Sequence, residues 1–283
     1  MEVTPPFEWF PAPGKLNLFL HVLGRRPDGY HELQTVFRLI DRADRVGIRV
    51  RADRAIHRVD PLPGIAPEND LCLRAARLLQ QASGTELGAD LALEKELPVG
   101  GGLGGGSSDA ATVLLVLNRQ WRTGYSRSKL MALGRGLGAD VPAFLHGVNA
   151  IGEGTGERLT PLALPPRWYL VLVPAAEVST VTVFADNALT RNSKELKIPP
   201  FFFGLGRNDL EPVVARRHPE VAAHLDWLRK RQPQARMTGS GACVFAEFAA
   251  EGEARAVQSE LPGTMRGFVA RGLERHPLHD WAS

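Results

Sequence analysis

The chain has 283 residues, 44% hydrophobic and 23% charged, with a formal net charge of +3. This is the composition of a globular protein with room for a sizeable core, in one large domain or two ordinary ones. It excludes a disulfide-stapled miniprotein, since only Cys72 and Cys243 occur, and it offers no block of positive charge for nucleic acid, because the arginines are spread along the chain. The start, MEVTPPFEWFPAPGK, holds acidic residues and prolines where a secretory leader needs a basic start and an apolar run. The longest apolar runs, such as ATVLLVL, are too short for a bilayer. The expectation is a cytoplasmic protein with no membrane and no nucleic-acid partner.

KLNLFLHVLG (15–24) alternates. Leu16, Leu18, Leu20 and Val22 take one face; Lys15, Asn17, Phe19 and His21 take the other. This predicts a strand with one buried face. RRPDGYH follows as a turn on Pro27, Asp28 and Gly29. LQTVFRLI and DRVGIRV read as two more strands. Asn69 and Asp70 offer a cap for a helix through Ser83, stopped by Gly84, with Leu71, Ala75, Leu78, Leu79 and Ala82 at helical spacing. DLALEKELPV returns to a strand. A glycine loop then leads into a helix from Ser108 to Arg119, and a third helix spans Ser126 to Gly136. Past Gly147, NAIGEGTGERL is turn-rich and RWYLVLVP is a short apolar strand. Residues 191–207, with IPPFFFG, read as an irregular surface loop. Helix, loop and strand recur in PEVAAHLDWLRKR, MTGSGACVFAEF, EARAVQSEL and RGFVARGL. Strands and helices mix without strict βαβ alternation. The expected fold is α+β in two halves, residues 1–155 and 156–283.

The stretch LPVGGGLGGGSSDAATVLLVLN places six glycines between Gly100 and Gly106, broken only by Leu103. A flexible linker leads nowhere; this one joins a strand to an apolar helix. Glycines let the backbone approach an anion and take positive φ. A helix N-terminus adds free N–H groups and the positive end of a dipole. Ser107, Ser108 and Asp109 fall where they can cap that helix. The pattern predicts a phosphate site. It is not a Walker loop, since Ser107 stands where Lys is required. Nor is it a dinucleotide fingerprint: Gly100, Gly102 and Gly105 fit, but residues 119–130 hold no acidic residue for a ribose. The protein-kinase signatures are missing as well.

PVGGGLGGGSSDAA resembles the second motif of the GHMP kinases, the galacto-, homoserine, mevalonate and phosphomevalonate kinases. PAPGKLNLFLHVLGRRPDGYHEL resembles their first motif and RMTGSGACVFAEF their third. The three stand in family order from Ala12 to Phe248. The resemblance implies the two-domain GHMP-kinase fold, with the active-site cleft between the domains. It implies ATP as phosphoryl donor, with Mg2+. RPDGYHEL, GADVP and a closing PLHDW resemble the branch whose acceptor is CDP-methylerythritol, phosphorylated on its 2-hydroxyl in the non-mevalonate isoprenoid route. The partner expected is thus a small molecule, for a monomer or homodimer.

Carried over by the resemblance, the ATP cradle is Pro98, Val99, Gly100, Gly101, Gly102, Leu103, Gly104, Gly105, Gly106, Ser107 and Ser108. Either serine is a candidate contact for the metal, whose ligands the sequence does not name. Asp140 in GADVP matches the catalytic aspartate, which takes or aligns the hydroxyl proton. Without the resemblance it reads as a turn or cap residue. Lys15 matches a lysine that pairs with that aspartate and stabilises charge on the phosphoryl group; alone it reads as a solvated strand start. Asn17 shares its strand face. Tyr30 and His31 match the cytosine site, the ring stacking and the histidine reading the base edge through its side chain or its backbone. Phe184 matches the opposite wall, with Thr180 near the substrate. By spacing alone Phe184 is core. Cys72, Cys243 and the eight histidines lack zinc-ligand spacing. A GHMP kinase for homoserine or mevalonate would not need the cytosine slot. A non-catalytic nucleotide-binding protein would not need Lys15 and Asp140 intact.

Overall fold

A computed structural model describes residues 5–62, 64–197 and 206–282. Its first layer is a mixed sheet. β1 (Glu8–Arg25) and β2 (His31–Arg51) form a long antiparallel pair. β2 is one strand of 21 residues, where two short ones were expected. It carries β1 along one edge. On the other it carries β4 (Gly88–Glu94) at Arg45–Arg51 and β5 (Ala150–Gly154) at Leu33–Phe37. β3 (Ile56–Arg58) and β6 (Arg158–Pro161) complete this sheet. The hairpin of β5 and β6 lies in the stretch that reads as turn-rich. Gly152, Gly154 and Gly156 mask its strand signal, although Gly154 and Gly156 do take positive φ.

Four helices accompany this sheet. α1 (Leu71–Ser83) starts as expected: the Asp70 carboxylate accepts from the N–H groups of Cys72 and Leu73, and Gly84 ends it in the left-handed region. α2 (Gly105–Gln120) is buried without interruption from Ser108 to Asn118, as befits a central core helix rather than a two-faced surface one. α3 (Arg127–Gly134) is capped by Ser126, and α4 (Val141–His146) follows. Leu73, Ala76 and Leu79 of α1 meet Val113, Leu114 and Leu117 of α2 and Phe144 of α4 in one core.

The second layer is the antiparallel sheet β10-β7-β9-β8, formed by β7 (Trp168–Leu172), β8 (Arg236–Met237), β9 (Val244–Phe248) and β10 (Gly267–Arg271). α6 (Glu211–Arg217), α7 (Pro219–Arg229) and α8 (Glu251–Ser259) pack with it. The short α5 (Thr180–Ala185), capped by Ser179, stands between β7 and α6 in the chain.

A third cluster joins the two layers. Leu16, Leu18 and Phe19 of β1 meet Leu103, Tyr169, Val171, Cys243 and Phe245. This is why β1 is buried on both faces rather than one: Leu16 packs in this cluster, while Lys15 and Asn17 on the other face are closed in by Gly102, Thr35 and Asp140. The pairing also slips between Asn17 and Leu20, which places Leu18 and Phe19 in the same cluster. Of the loop expected at 191–207, residues 198–205 lie outside the described residues. Ser193 and Leu196 are tied down by hydrogen bonds to Val22 and Gln34. No helix among the described residues is long and apolar enough to cross a membrane.

Candidate active site

The glycine loop is anchored to both halves. Leu103 is 1% exposed, and its carbonyl accepts from the Lys15 N–H at 3.0 Å. The Gly101 carbonyl accepts from the Cys243 N–H at 3.1 Å. Gly102 has φ +76, and a Cβ there would stand 2.2 Å from the Thr238 carbonyl oxygen. Gly104, at φ +71, would push a Cβ to 2.9 Å from the Phe144 ring. These two glycines are demanded by close approach and by left-handed backbone together.

α2 begins at Gly105, three residues earlier than expected. Ser107 and Ser108 therefore lie inside the helix start, with Asp109 just beyond its first turn, and none of the three caps it. The cap position is Gly104, without a side-chain bond. The Ser108 N–H is the first to close a helical bond, to Gly104 at 2.9 Å. The N–H groups of Gly105, Gly106 and Ser107 precede it and have no helical acceptor. The first turn thus presents an uncapped positive dipole end. Ser107 borders the space in front of it. Ser108 is fully buried and donates to the Pro13 carbonyl at 2.7 Å, so its hydroxyl holds α2 to β1 instead of facing a ligand.

Asp109 is buried on the next turn. It pairs with Lys95 at 3.0 Å, and Lys95 also contacts Asp44. Burial pushes the Asp109 carboxyl up to about 7 against the pull of Lys95. Spacing in the sequence does not disclose this cluster, because its members come from β2, the strand end and α2.

Two clefts open on this loop. One, of about 360 Å³, is lined by the glycines, Ile65, Leu71, Lys95 and Val99. The other, of about 620 Å³, is lined by Lys15, Asn17, Tyr30, His31, Phe37 and Phe184. Gly102, Ser107, Asp140, Thr180 and Ser240 border both. The clefts therefore meet at Asp140.

At that meeting point the Lys15 ammonium lies 3.2 Å from Asp140 Oδ2. It also donates to Asn17 Oδ1 at 2.5 Å and to the Gly102 carbonyl at 3.0 Å. Lys15 is 3% exposed, so it is no solvated strand start. Asp140 occupies the cap position of α4 but makes no cap bond, which leaves its carboxylate to Lys15 and the cleft. Asn17 spends its other end on Thr35 Oγ1 at 2.9 Å. Its backbone N–H donates to Thr238 Oγ1 at 2.9 Å, and Asn208 Nδ2 holds the carbonyls of Met237 and Gly239. The TGSG turn is thereby fastened over the start of β1.

At the far end of the larger cleft, Tyr30 is 67% exposed. The His31 and Phe184 rings stand 5.0 Å apart, tilted by 32°. Phe184 is on α5 and half-buried, not ordinary core. Thr180, at the start of α5, shares a hydrogen bond of 2.7 Å with Ser240. The structure thus brings together every residue expected at the acceptor side.

Residues 70–148 match the profile of the GHMP kinases N terminal domain, and residues 198–267 that of the GHMP kinases C terminal. The 4-diphosphocytidyl-2-C-methyl-D-erythritol kinase of Nitrosospira multiformis is 60% identical over 96% of this chain and 93% of its own. The chain belongs to the GHMP kinases. The enzyme of the same name from Thiobacillus denitrificans is 59% identical, over 96% of this GHMP kinase and 98% of its own length. The crystal structure of a 4-(cytidine 5'-diphospho)-2C-methyl-D-erythritol kinase superposes with a TM-score of 0.80 at 36% identity. It covers 94% of this GHMP kinase and 99% of that chain. A mevalonate kinase of Methanococcus jannaschii shares the fold, with a TM-score of 0.67 at 14% identity, covering 94% and 98%.

The donor set at this site bears on the metal expected with ATP. Among the described residues no group of three or more His, Cys, Asp and Glu side chains is gathered to hold an ion. A Mg2+ that keeps its waters and takes its other ligands from phosphates fits such a site; a protein-only cage does not.

Proposed function

We infer that this GHMP kinase transfers the γ-phosphoryl group of ATP to the 2-hydroxyl of 4-(cytidine 5'-diphospho)-2-C-methyl-D-erythritol, in the non-mevalonate route to isoprenoid precursors. The observation that carries the mechanism is the meeting of two clefts at the Lys15–Asp140 pair. ATP takes the smaller cleft. Its phosphates lie against the glycine loop from Pro98 to Ser107 and the open end of α2. The acceptor takes the larger cleft, with cytosine among Tyr30, His31 and Phe184 and the methylerythritol end at Asp140. Thr180 lies between the two.

Phosphoryl transfer needs mainly alignment and neutralised charge. Asp140 orients the hydroxyl by accepting its hydrogen bond. An alkoxide is far more basic than a carboxylate, so the proton moves late, as the new O–P bond forms. Lys15 places its charge beside the transferred group, steadied by Asn17 and Gly102. Ser107 and Asp140, which border both clefts, are the side chains that would hold a Mg2+ brought with ATP, and the ion would offset the charge of the phosphates. We place the division of the chain at residues 1–155 and 156–283, and its site of action in the cytoplasm.

The test is Mg2+-dependent ADP release with CDP-methylerythritol, in parallel with homoserine, mevalonate, galactose and no acceptor. Release with the cytidine substrate alone supports the reading. Release with another alcohol alone discards the cytosine slot and keeps the ATP cradle.

A further inference from the structure

Arg191 belongs to no motif in the sequence, yet it is tied to both aromatic walls of the acceptor cleft. Its Nη2 donates to the Phe184 carbonyl at 2.7 Å and to the Asp186 carbonyl at 2.8 Å, gripping the end of α5. Its Nη1 reaches the Leu189 carbonyl at 3.3 Å. Its Nε donates to His31 Nε2 at 3.1 Å. A guanidinium has donors only and does not lose its proton. The ring nitrogen facing it must therefore be the one with a lone pair. In a neutral imidazole the proton then sits on Nδ1, which has no hydrogen-bond partner among the described residues.

We propose that Arg191 is a positioning residue that fixes His31 in its Nδ1–H tautomer, so that the slot selects a base with an acceptor at that edge, cytosine, over one with an N–H there, uracil. The inference rests on the nucleobase slot of the preceding section. The chemistry is a matter of one hydrogen. Position 3 of cytosine carries a lone pair and position 3 of uracil carries a proton. A ring N–H pairs with the first and meets the second donor to donor, and an unmatched polar pair in a partly closed site costs strongly in selectivity. The neutral ring is favoured by the surroundings: burial first, then the charges of Arg191 and Arg25, hold His31 below its usual value. The same guanidinium fixes the Phe184 wall, so ring orientation and slot width are set by one side chain.

The test uses nitrogen-15 NMR of the histidine side chains in the full-length protein, with His31 assigned by its loss in His31→Gln. CDP and UDP serve as probes, their binding compared by calorimetry. In the wild type, Nδ1 should carry the proton and CDP should bind at least tenfold tighter than UDP. Arg191→Met keeps much of the stem and removes every donor. It should mix the tautomers, cut the CDP-to-UDP ratio about tenfold and raise the acceptor KM, with the KM for ATP unchanged. Arg191→Lys, with a charge but no fork, should recover only part of the ratio. A wild-type ring protonated on Nε2 overturns the proposal, and that result is independent of whether any variant folds. So does an Arg191→Met protein that keeps one tautomer and the full ratio. A wild type with the expected tautomer that binds neither nucleotide overturns the slot and the selectivity drawn from it, while leaving the Arg191–His31 contact in place.

Discussion

The Lys15 ammonium is held by three oxygens of different origin: Asp140 Oδ2 at 3.2 Å, Asn17 Oδ1 at 2.5 Å and the Gly102 carbonyl at 3.0 Å. One belongs to the cap position of α4, one to β1 and one to the glycine loop. The pair is thus the point where the acceptor side and the ATP side are joined. Replacing Asp140 with Asn keeps the shape and removes the charge and the base. Turnover should fall by roughly 10²–10⁴, while ATP affinity changes little, because the role lies in the transition state. Steady-state kinetics with calorimetric ATP binding checks this; an equal loss of ATP binding would remove Asp140 from the chemistry.

Gly102 and Gly106 should respond oppositely to alanine. At Gly102 a methyl meets the Thr238 carbonyl at 2.2 Å on left-handed backbone. The expected cost is at least ~1–2 kcal/mol from the backbone alone, with a raised KM for ATP as the loop shifts. At Gly106 the methyl meets only Leu71, at 3.5 Å, inside a helix. Alanine there should hold or raise Tm, by up to ~1 kcal/mol of helix propensity. Thermal unfolding of the two proteins decides it.

Tyr30 is exposed and lies at the mouth of the larger cleft. Tyr30→Ala should leave Tm unchanged. It should weaken CDP-substrate binding by about 1–3 kcal/mol of stacking, read as a raised KM at nearly constant kcat. An unchanged KM would take the tyrosine out of the slot.

His276 is buried near the C-terminus, and its Nδ1 accepts from the Leu278 N–H at 3.0 Å. Burial, then the charges of His279 and Arg127, push its pKa down to about 3. The unfolded chain, at about 6.5, binds the proton more readily. This histidine's stability contribution is therefore complete above pH 6.5 and is lost as pH falls from 6.5 toward 3. His276→Asn retains an acceptor for Leu278 without a titrating ring. Denaturant unfolding between pH 4 and 7 should show a shallower acid loss than in the wild type; an unchanged slope would mean that His276 does not titrate on unfolding.

The parts of this molecule legible in the sequence were those set by local chemistry. Asp70 and Gly84 bracket α1 because caps act within a few residues. The glycine loop, Lys15 and Asp140 stood out through motifs. Less legible was whatever depends on distant partners. β1 alternates, but Gly102, Thr35 and Asp140 close in its Lys15 and Asn17 side chains, so the pattern understates its burial. The glycines of β5 and of the turn after it concealed a hairpin that β2 templates. Ser108 looked like a cap and proved to be a strut to Pro13. Arg191 and the Lys95 cluster carried no spacing signal, since their partners come from separate elements.

The most direct test of the account is the identity of the product. Phosphorus-31 and carbon-13 NMR of the reaction of ATP with CDP-methylerythritol should show one new phosphomonoester, coupled to carbon 2 of the erythritol, appearing in step with ADP. A phosphate on another hydroxyl, an extended diphosphate chain, or ADP formed without any new ester would contradict an acceptor hydroxyl held at Asp140.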